Sequence, residues 1–256
     1  MRIAISATMV ALITVLSSCN SCNGQKKTTP VPKALNQHLC TMMGNIYPAD
    51  SLVGESTLLW RKKKVQVYFI DDDGNVRDRV LAIANAWMLY SGVQFVRSFD
   101  QNTSDIRVSF RTNGWWSYIG SSSTQIGHDS ASLSLDSLYL YSPEKFKSVV
   151  LHEFGHSLGL LHEHQNPFLE IKWNRPALYK YYKETYHVDS TWVNENVLEK
   201  YSSLSGIYCE PDKSSIMIYE IPVGLTDDKV VVPEPLDLSP LDKKYIRYMY
   251  AGTPCN

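Results

Sequence analysis

Three histidines within eleven residues constrain this chain more than any other feature. His152, His156 and His162 stand in the stretch VVLHEFGHSLGLLHEHQNP, residues 149–167. A spacing of four puts His152 and His156 one turn apart on the same face of a helix. Gly159 comes three residues later, where a glycine can take positive φ, end the helix and turn the chain back. That return brings His162 toward the first two rings. Leu151, Phe154, Leu158 and Leu161 supply the apolar packing of the segment, which leaves the histidines no packing role. Catalytic zinc sites use three protein ligands plus water and accept neutral imidazole. The three histidines are therefore candidate ligands for one Zn(2+) per chain. Glu153 follows the first of them, and its carboxylate can sit beside the metal's water as general base. The short H-E-x-x-H pattern occurs by chance, but its extension through Gly159 and His162 makes chance occurrence rare. His164, two residues past His162, is read as pointing elsewhere.

A second motif lies downstream, Ser215-Ile216-Met217-Ile218-Tyr219. With H-x-x-x-H-x-x-G-x-x-H it resembles the metzincin peptidases, and specifically their astacin-like branch. Gly114-Trp115-Trp116-Ser117-Tyr118-Ile119-Gly120 is similar to the family segment G-C-W-S-Y-V-G. Glu163 matches the family's glutamate after the third histidine, and Leu238-Ser239, Asp242 and Tyr248 to Gly252 resemble its terminal helix. The resemblance runs from about Trp60 to Gly252. It implies a zinc-dependent endopeptidase that hydrolyses internal peptide bonds of a protein or peptide lying extended in a cleft. Met217 would sit in a tight turn beneath the metal. Tyr219 would reach it with its hydroxyl and then stabilise the oxyanion. Glu163 would anchor the turn after the third ligand. Trp115 replaces the family's cysteine, so that disulfide cannot form, and Asn166-Pro167 replaces the family's Arg-Pro. These departures suit a bacterial relative.

The patterning around the motifs predicts an α+β, metzincin-type zincin fold. A twisted mixed sheet and helices would form an upper lobe, an irregular segment with a C-terminal helix a lower lobe, and the zinc would lie in the cleft. Val65, Val67 and Phe69 alternate as in a strand, and Val93–Val96 and Ile106–Phe110 read likewise. Asp71–Asn75 reads as a turn. Val76, Val80, Ile83, Ala84 and Trp87 recur at helical spacing, predicting one helix over residues 76–90. Residues 129–135 (DSASLSL) read as a fourth strand, polar on one side and so at an edge, where substrate would pair along Ala131 to Leu135. The helix with the histidines begins near Pro143, and residues 175–188 form another. Ser239, Pro240 and Asp242 start the last helix, which Gly252 stops.

Ahead of this domain, assigned to residues 59–256, the chain changes character. Arg2 and the apolar run Met9–Leu16 read as a signal peptide over residues 1–18. Leu16-Ser17-Ser18-Cys19 resembles the lipobox of bacterial lipoproteins, which implies a lipid on Cys19 and a place in the bacterial envelope, at the outer membrane. Residues 19–58 read as a tether followed by an N-terminal arm or short pro-segment. Cys22, Cys40, Cys209 and Cys255 leave three complete disulfide pairings open. The 256 residues carry 25 basic and 26 acidic side chains, a net charge of -1. That balance points to no nucleic-acid partner, and a monomer is expected. Two other classes compete: a catalytically inactive module that captures peptide or glycan on the same fold, and a zinc amidase acting outside peptides. Glu153 argues against the first, and the Met217–Tyr219 turn against the second.

Overall fold

The computed structural model describes residues 40–43, 58–71, 75–201 and 210–252, the first group as backbone only. The expected signal peptide, Cys19, the remaining cysteine side chains and the middle of the expected Asp71–Asn75 turn lie outside the described residues.

Six strands form one mixed sheet: β1 (Cys40–Met43), β2 (Lys64–Phe69), β3 (Gln94–Arg97), β4 (Ile106–Ser109), β5 (Trp115–Tyr118) and β6 (Leu133–Leu135). Their order across the sheet is β1-β5-β6-β4-β2-β3. β2 pairs in parallel with β3 and β4, and β4 with β6; β5 runs antiparallel to β6 and parallel to β1. Parallel neighbours need a crossover. Between β2 and β3 it is α1 (Asn75–Ala84) and α2 (Met88–Ser91), joined by a 3-10 turn over Asn85–Trp87. The single helix expected over residues 76–90 is therefore broken. At the break, the Asn85 side chain donates to the carbonyls of Leu81 and Phe95 and accepts the N–H of Phe95, each at 2.9 Å. These bonds tie the helix to β3.

A second expectation fails at β6. It lies between β5 and β4, not at an edge, so residues 131–135 offer no free edge to a substrate. Leu133, Ser134 and Leu135 are all buried. The polar alternation came from serines satisfied inside the protein: Ser134 Oγ donates to the Gly114 carbonyl at 2.6 Å, and Ser132 Oγ accepts the Arg107 N–H at 2.9 Å. Arg107 is itself fully buried and donates to the carbonyls of Ser123, Ile126 and Ser130, fastening residues 120–130 over the sheet. Burial lowers its pKa, against the raising effect of Asp105 and Asp129. Segment 115–118, not assigned from its pattern, supplies the fifth strand.

Below the sheet runs α3 (Pro143–Ser157), started by Ser142, whose hydroxyl accepts the Lys145 N–H, and by Pro143 in its first turn. Val150, Leu151, Phe154 and Leu158 face the sheet core, where Phe95 and Phe154 meet edge to face with centroids 4.7 Å apart. Burying side chains of this size stabilises the fold by about 1.5–3 kcal/mol each. Trp87, also fully buried, donates its indole N–H to the Leu151 carbonyl at 3.0 Å. The crossover and the histidine helix are thereby joined one residue ahead of His152.

A second apolar cluster gathers Leu169, Leu178, Tyr182, Val193, Val197, Ile218 and Ile221. It is built on α4 (Arg175–Tyr186) and α5 (Ser190–Val193) and on irregular chain from residue 210 onward, as the turn residues there predict. The last helix, α6 (Pro240–Ala251), begins with a full capping box from Ser239 and Asp242, and Gly252 ends it at φ 68°. It follows the lower segment in sequence but seats Ile246 and Met249 in the first cluster. No helix among the described residues is long and apolar enough to cross a membrane.

Candidate active site

α3 carries His152, Glu153 and His156 on successive buried turns, and the helix ends where the sequence places its stop. Gly159 takes φ 98°, and the Leu160 N–H returns to the Gly155 carbonyl at 3.0 Å. This return delivers His162 to the other two rings. The ligand atoms of His152, His156 and His162 all lie within 4.8 Å of one another, and the Nε2 atoms of His156 and His162 are 3.1 Å apart. Tetrahedral zinc at its usual nitrogen distance holds ligands about 3.3 Å apart, so the cluster has the right size.

The backbone fixes which nitrogen is offered. His152 donates Nδ1–H to the Ile216 carbonyl at 2.6 Å, and His156 donates Nδ1–H to the Leu160 carbonyl at 2.8 Å. Each Nε2 therefore keeps its lone pair, as a metal ligand requires. Nε2 of His152 is buried with no hydrogen-bond partner, a costly arrangement unless an ion takes the lone pair. Burial also keeps the rings neutral: the His152 pKa falls to about 4, and those of His156 and His162 fall well below 6.5. The donor set fits zinc.

Glu153 is 1% exposed and lines a cavity of about 460 Å³ with His152 and Tyr219. The carboxylate and the phenol thus share one space at the head of the histidine cluster. The Tyr219 ring lies 4.5 Å from that of His162 and stacks on His164 at 4.2 Å and 26°. His164 is fully buried and its Nε2 faces the Asn196 carbonyl at 3.1 Å, away from the other histidines' ligand set. It forms the shelf on which Tyr219 rests.

Met217 is 2% exposed and lies under the helix turn between the first two histidines. A Cβ on Gly155 would meet its Sδ at 2.5 Å. Only a residue without a side chain lets the methionine come this close. The Met217 carbonyl accepts the Glu163 N–H at 3.0 Å. Glu163 in turn accepts from Asn166 Nδ2 at 2.9 Å and from the Asp212 N–H at 3.1 Å. It anchors the turn by hydrogen bonds, and burial raises its pKa to about 7, with Asp212 and Asp242 adding to the rise.

The sequence-predicted residues thus come together: three histidines, Glu153, Tyr219, and Met217 with Gly159 and Glu163 behind them. Others were not foreseen. Gly155 had a readable signal, being the small residue between the first two histidines. The Leu160 and Ile216 carbonyls had none, since any residue carries one. Of residues 219–229, Tyr219 and Glu220 line the cavity. The other lining residues come from β5, α3 and α4, from Tyr141 ahead of α3, from Ile216 and Ile218 in the turn beneath the histidines, and from residues 234–235.

Comparisons with known proteins agree with this geometry. The model of the astacin family of peptidases matches residues 53–250. A structure of myroilysin superposes with a TM-score of 0.72 at 30% identity, covering 76% of this chain and 96% of that one. A crystal structure of myroilysin gives 0.58, also at 30% identity, covering 83% and 90%. High choriolytic enzyme 1, a hatching enzyme zinc-protease from the medaka fish Oryzias latipes, shares the fold at a TM-score of 0.51 and 16% identity, over 77% of this chain and 96% of that one. No curated protein sequence matches. With the three histidines in place, the chain belongs to the astacin family and is a zinc metalloendopeptidase.

Proposed function

We propose that the chain cuts internal peptide bonds of proteins with Glu153 as general base, using one Zn(2+) held by Nε2 of His152, His156 and His162. The convergence of three buried, neutral imidazoles beside a buried glutamate carries this reading. Zinc bound there supplies Lewis-acid polarisation of the scissile carbonyl and acidifies a water. Glu153 takes the proton of the attacking water and passes it to the leaving amine, so one carboxylate serves as base and then as acid. The Tyr219 hydroxyl donates to the oxyanion that develops on the carbonyl, an interaction made in the transition state. His164 holds the phenol ring in place for that task. The Ile216 and Leu160 carbonyls keep the ligands aimed. No covalent intermediate is needed. The chain acts as a monomer, lipid-anchored through Cys19 at the outer membrane of a bacterial envelope, where its substrates are proteins or peptides.

The test is hydrolysis of an unbiased peptide mixture by the zinc-loaded chain, with cuts read by mass spectrometry beside Glu153→Gln. Internal cuts that vanish with Glu153→Gln meet the expectation. A folded, zinc-loaded chain that cuts nothing, or one whose Glu153→Gln form cuts equally well, defeats it.

A further inference from the structure

We propose that the cavity beside the histidines selects its substrate by a long cationic side chain, arginine or lysine, next to the bond that is cut. This rests on the peptidase reading above and names its substrate class. At about 460 Å³ the cavity has room for a whole side chain. Its walls are strongly aromatic. Trp115 and Tyr141 come from β5 and the approach to α3; Tyr181, Tyr182 and Tyr186 come from α4. Aromatic faces attract cations through the ring quadrupole, and the methylene stem of lysine or arginine lies well against the same rings. One such contact exists already, Lys145 Nζ standing 5.1 Å from the Trp115 ring centroid.

The charges lining the cavity point the same way. Lys145 is its one lysine or arginine among the described residues, against Glu153, Glu220 and Glu234. Lys145 is ion-paired with Glu234, which cancels its charge within the wall. Glu153 belongs to the reaction. Glu220 remains, exposed at the rim, and both Glu220 and Glu234 bear on the Tyr186 hydroxyl and raise its pKa, an effect added to that of burial and of Tyr181. Zn(2+) held by the histidines would add positive charge at their Nε2 atoms; Glu220, exposed and lining the same cavity as Tyr186, offers the carboxylate that Lys145 does not neutralise. A guanidinium or ammonium passing between the tyrosines therefore meets a carboxylate at its tip. An acidic side chain meets repulsion there, and an aliphatic one leaves Glu220 unused.

The experiment uses the full chain in detergent, loaded with zinc, and otherwise identical peptides carrying Arg, Lys, Leu or Glu at each position flanking the cut. At one of those positions Arg and Lys should exceed Glu by about tenfold or more in kcat/KM. Glu220→Lys should erase or reverse that ratio, and Glu220→Gln should reduce it. Fluorescence anisotropy with the Arg and Glu peptides on zinc-loaded Glu153→Gln reads the cavity without turnover. Cutting with no preference for the basic residue, or a preference that Glu220→Lys leaves intact, overturns the inference while the peptidase reading stands. If the wild type cuts nothing, tighter binding of the Arg peptide upholds the cavity assignment and rejects the peptidase reading; equal binding rejects both.

Discussion

Asp242, at the start of α6, accepts the backbone N–H of Ile216 at 2.8 Å, and the carbonyl of the same Ile216 receives Nδ1–H of His152 at 2.6 Å. One residue thus links the cap of the last helix to a metal-binding ring. The other Asp242 oxygen accepts from Ser215 Oγ at 2.6 Å, and Ser215 Oγ accepts the Met217 N–H at 3.0 Å. The turn beneath the histidines is held from behind by a single buried carboxylate. Asp242→Ala opens the capping box of α6 and strands three donors, the Ser215 hydroxyl and the N–H groups of Ile216 and Ser239, a loss of about 2–4 kcal/mol. Zinc affinity should fall as well, because Ile216 no longer fixes the His152 ring. Chemical denaturation and a zinc titration check both; unchanged zinc affinity would break the proposed link.

Gly155→Ala sets two effects against each other. Helix propensity favours alanine by about 1 kcal/mol. The new Cβ, however, would lie 2.5 Å from Met217 Sδ and 3.3 Å from Trp87, in a place with no spare room. Overpacking of this kind costs about 1–3 kcal/mol. The variant should be less stable by about 1 kcal/mol and bind zinc more weakly, since Met217 must leave its seat. A melting temperature at or above the wild type's would show that the seat is not tight.

These relationships explain what the sequence could and could not disclose. The histidine site was legible because its information is local: helix spacing sets His152 and His156, and one glycine sets the return to His162. The start of α3 near Pro143 and the cap of α6 were legible for the same reason. β6 was misread because Ser132 and Ser134 look solvated in a string of letters, yet find buried partners on Arg107 and Gly114. The break after Ala84 was hidden because Asn85 reaches ten residues ahead to Phe95. Asp242 was visible as a cap, but its hold on Ile216 spans 26 residues and uses a backbone N–H, which leaves no mark on residue choice. The tyrosines of α4 were read as a helix, and only the fold turns them toward Glu153.

Acid should unfold the metal-free protein earlier than its carboxylates alone would dictate. Burial holds His152 at about 4 and His164 at about 3, both below the ordinary 6.5. Between those limits the unfolded chain binds more protons than the folded one, so stability falls as pH falls. The contribution is complete above pH 6.5 and is lost progressively toward pH 4 and below. Melting temperatures taken without metal from about pH 7.5 to about pH 4.5 should decline, and His164→Phe should decline less steeply. Glu163, raised by burial to about 7, opposes this decline over the same range, so the contrast between wild type and His164→Phe is the test: equal slopes would contradict the neutral, buried state of the His164 ring.

Zinc should stabilise the fold through three histidines and not four. A ligand bound only by the native state stabilises by about 2.7 kcal/mol at a hundredfold excess over its Kd. For a domain of this size that raises Tm by roughly 5–10 °C. Chelation should reverse the rise. His162→Ala should abolish most of it, because two imidazoles four apart on α3 leave the ion short of a ligand. His164→Phe should keep the full rise, since its Nε2 faces Asn196, the clustered ligand atoms are those of His152, His156 and His162, and the His164 ring serves as a shelf for Tyr219. The same variant preserves that stack, so peptide hydrolysis should survive in it, whereas His164→Ala should lower kcat while leaving the zinc-induced shift in place. Loss of the shift in His164→Phe would make His164 a ligand and require a different geometry at the metal.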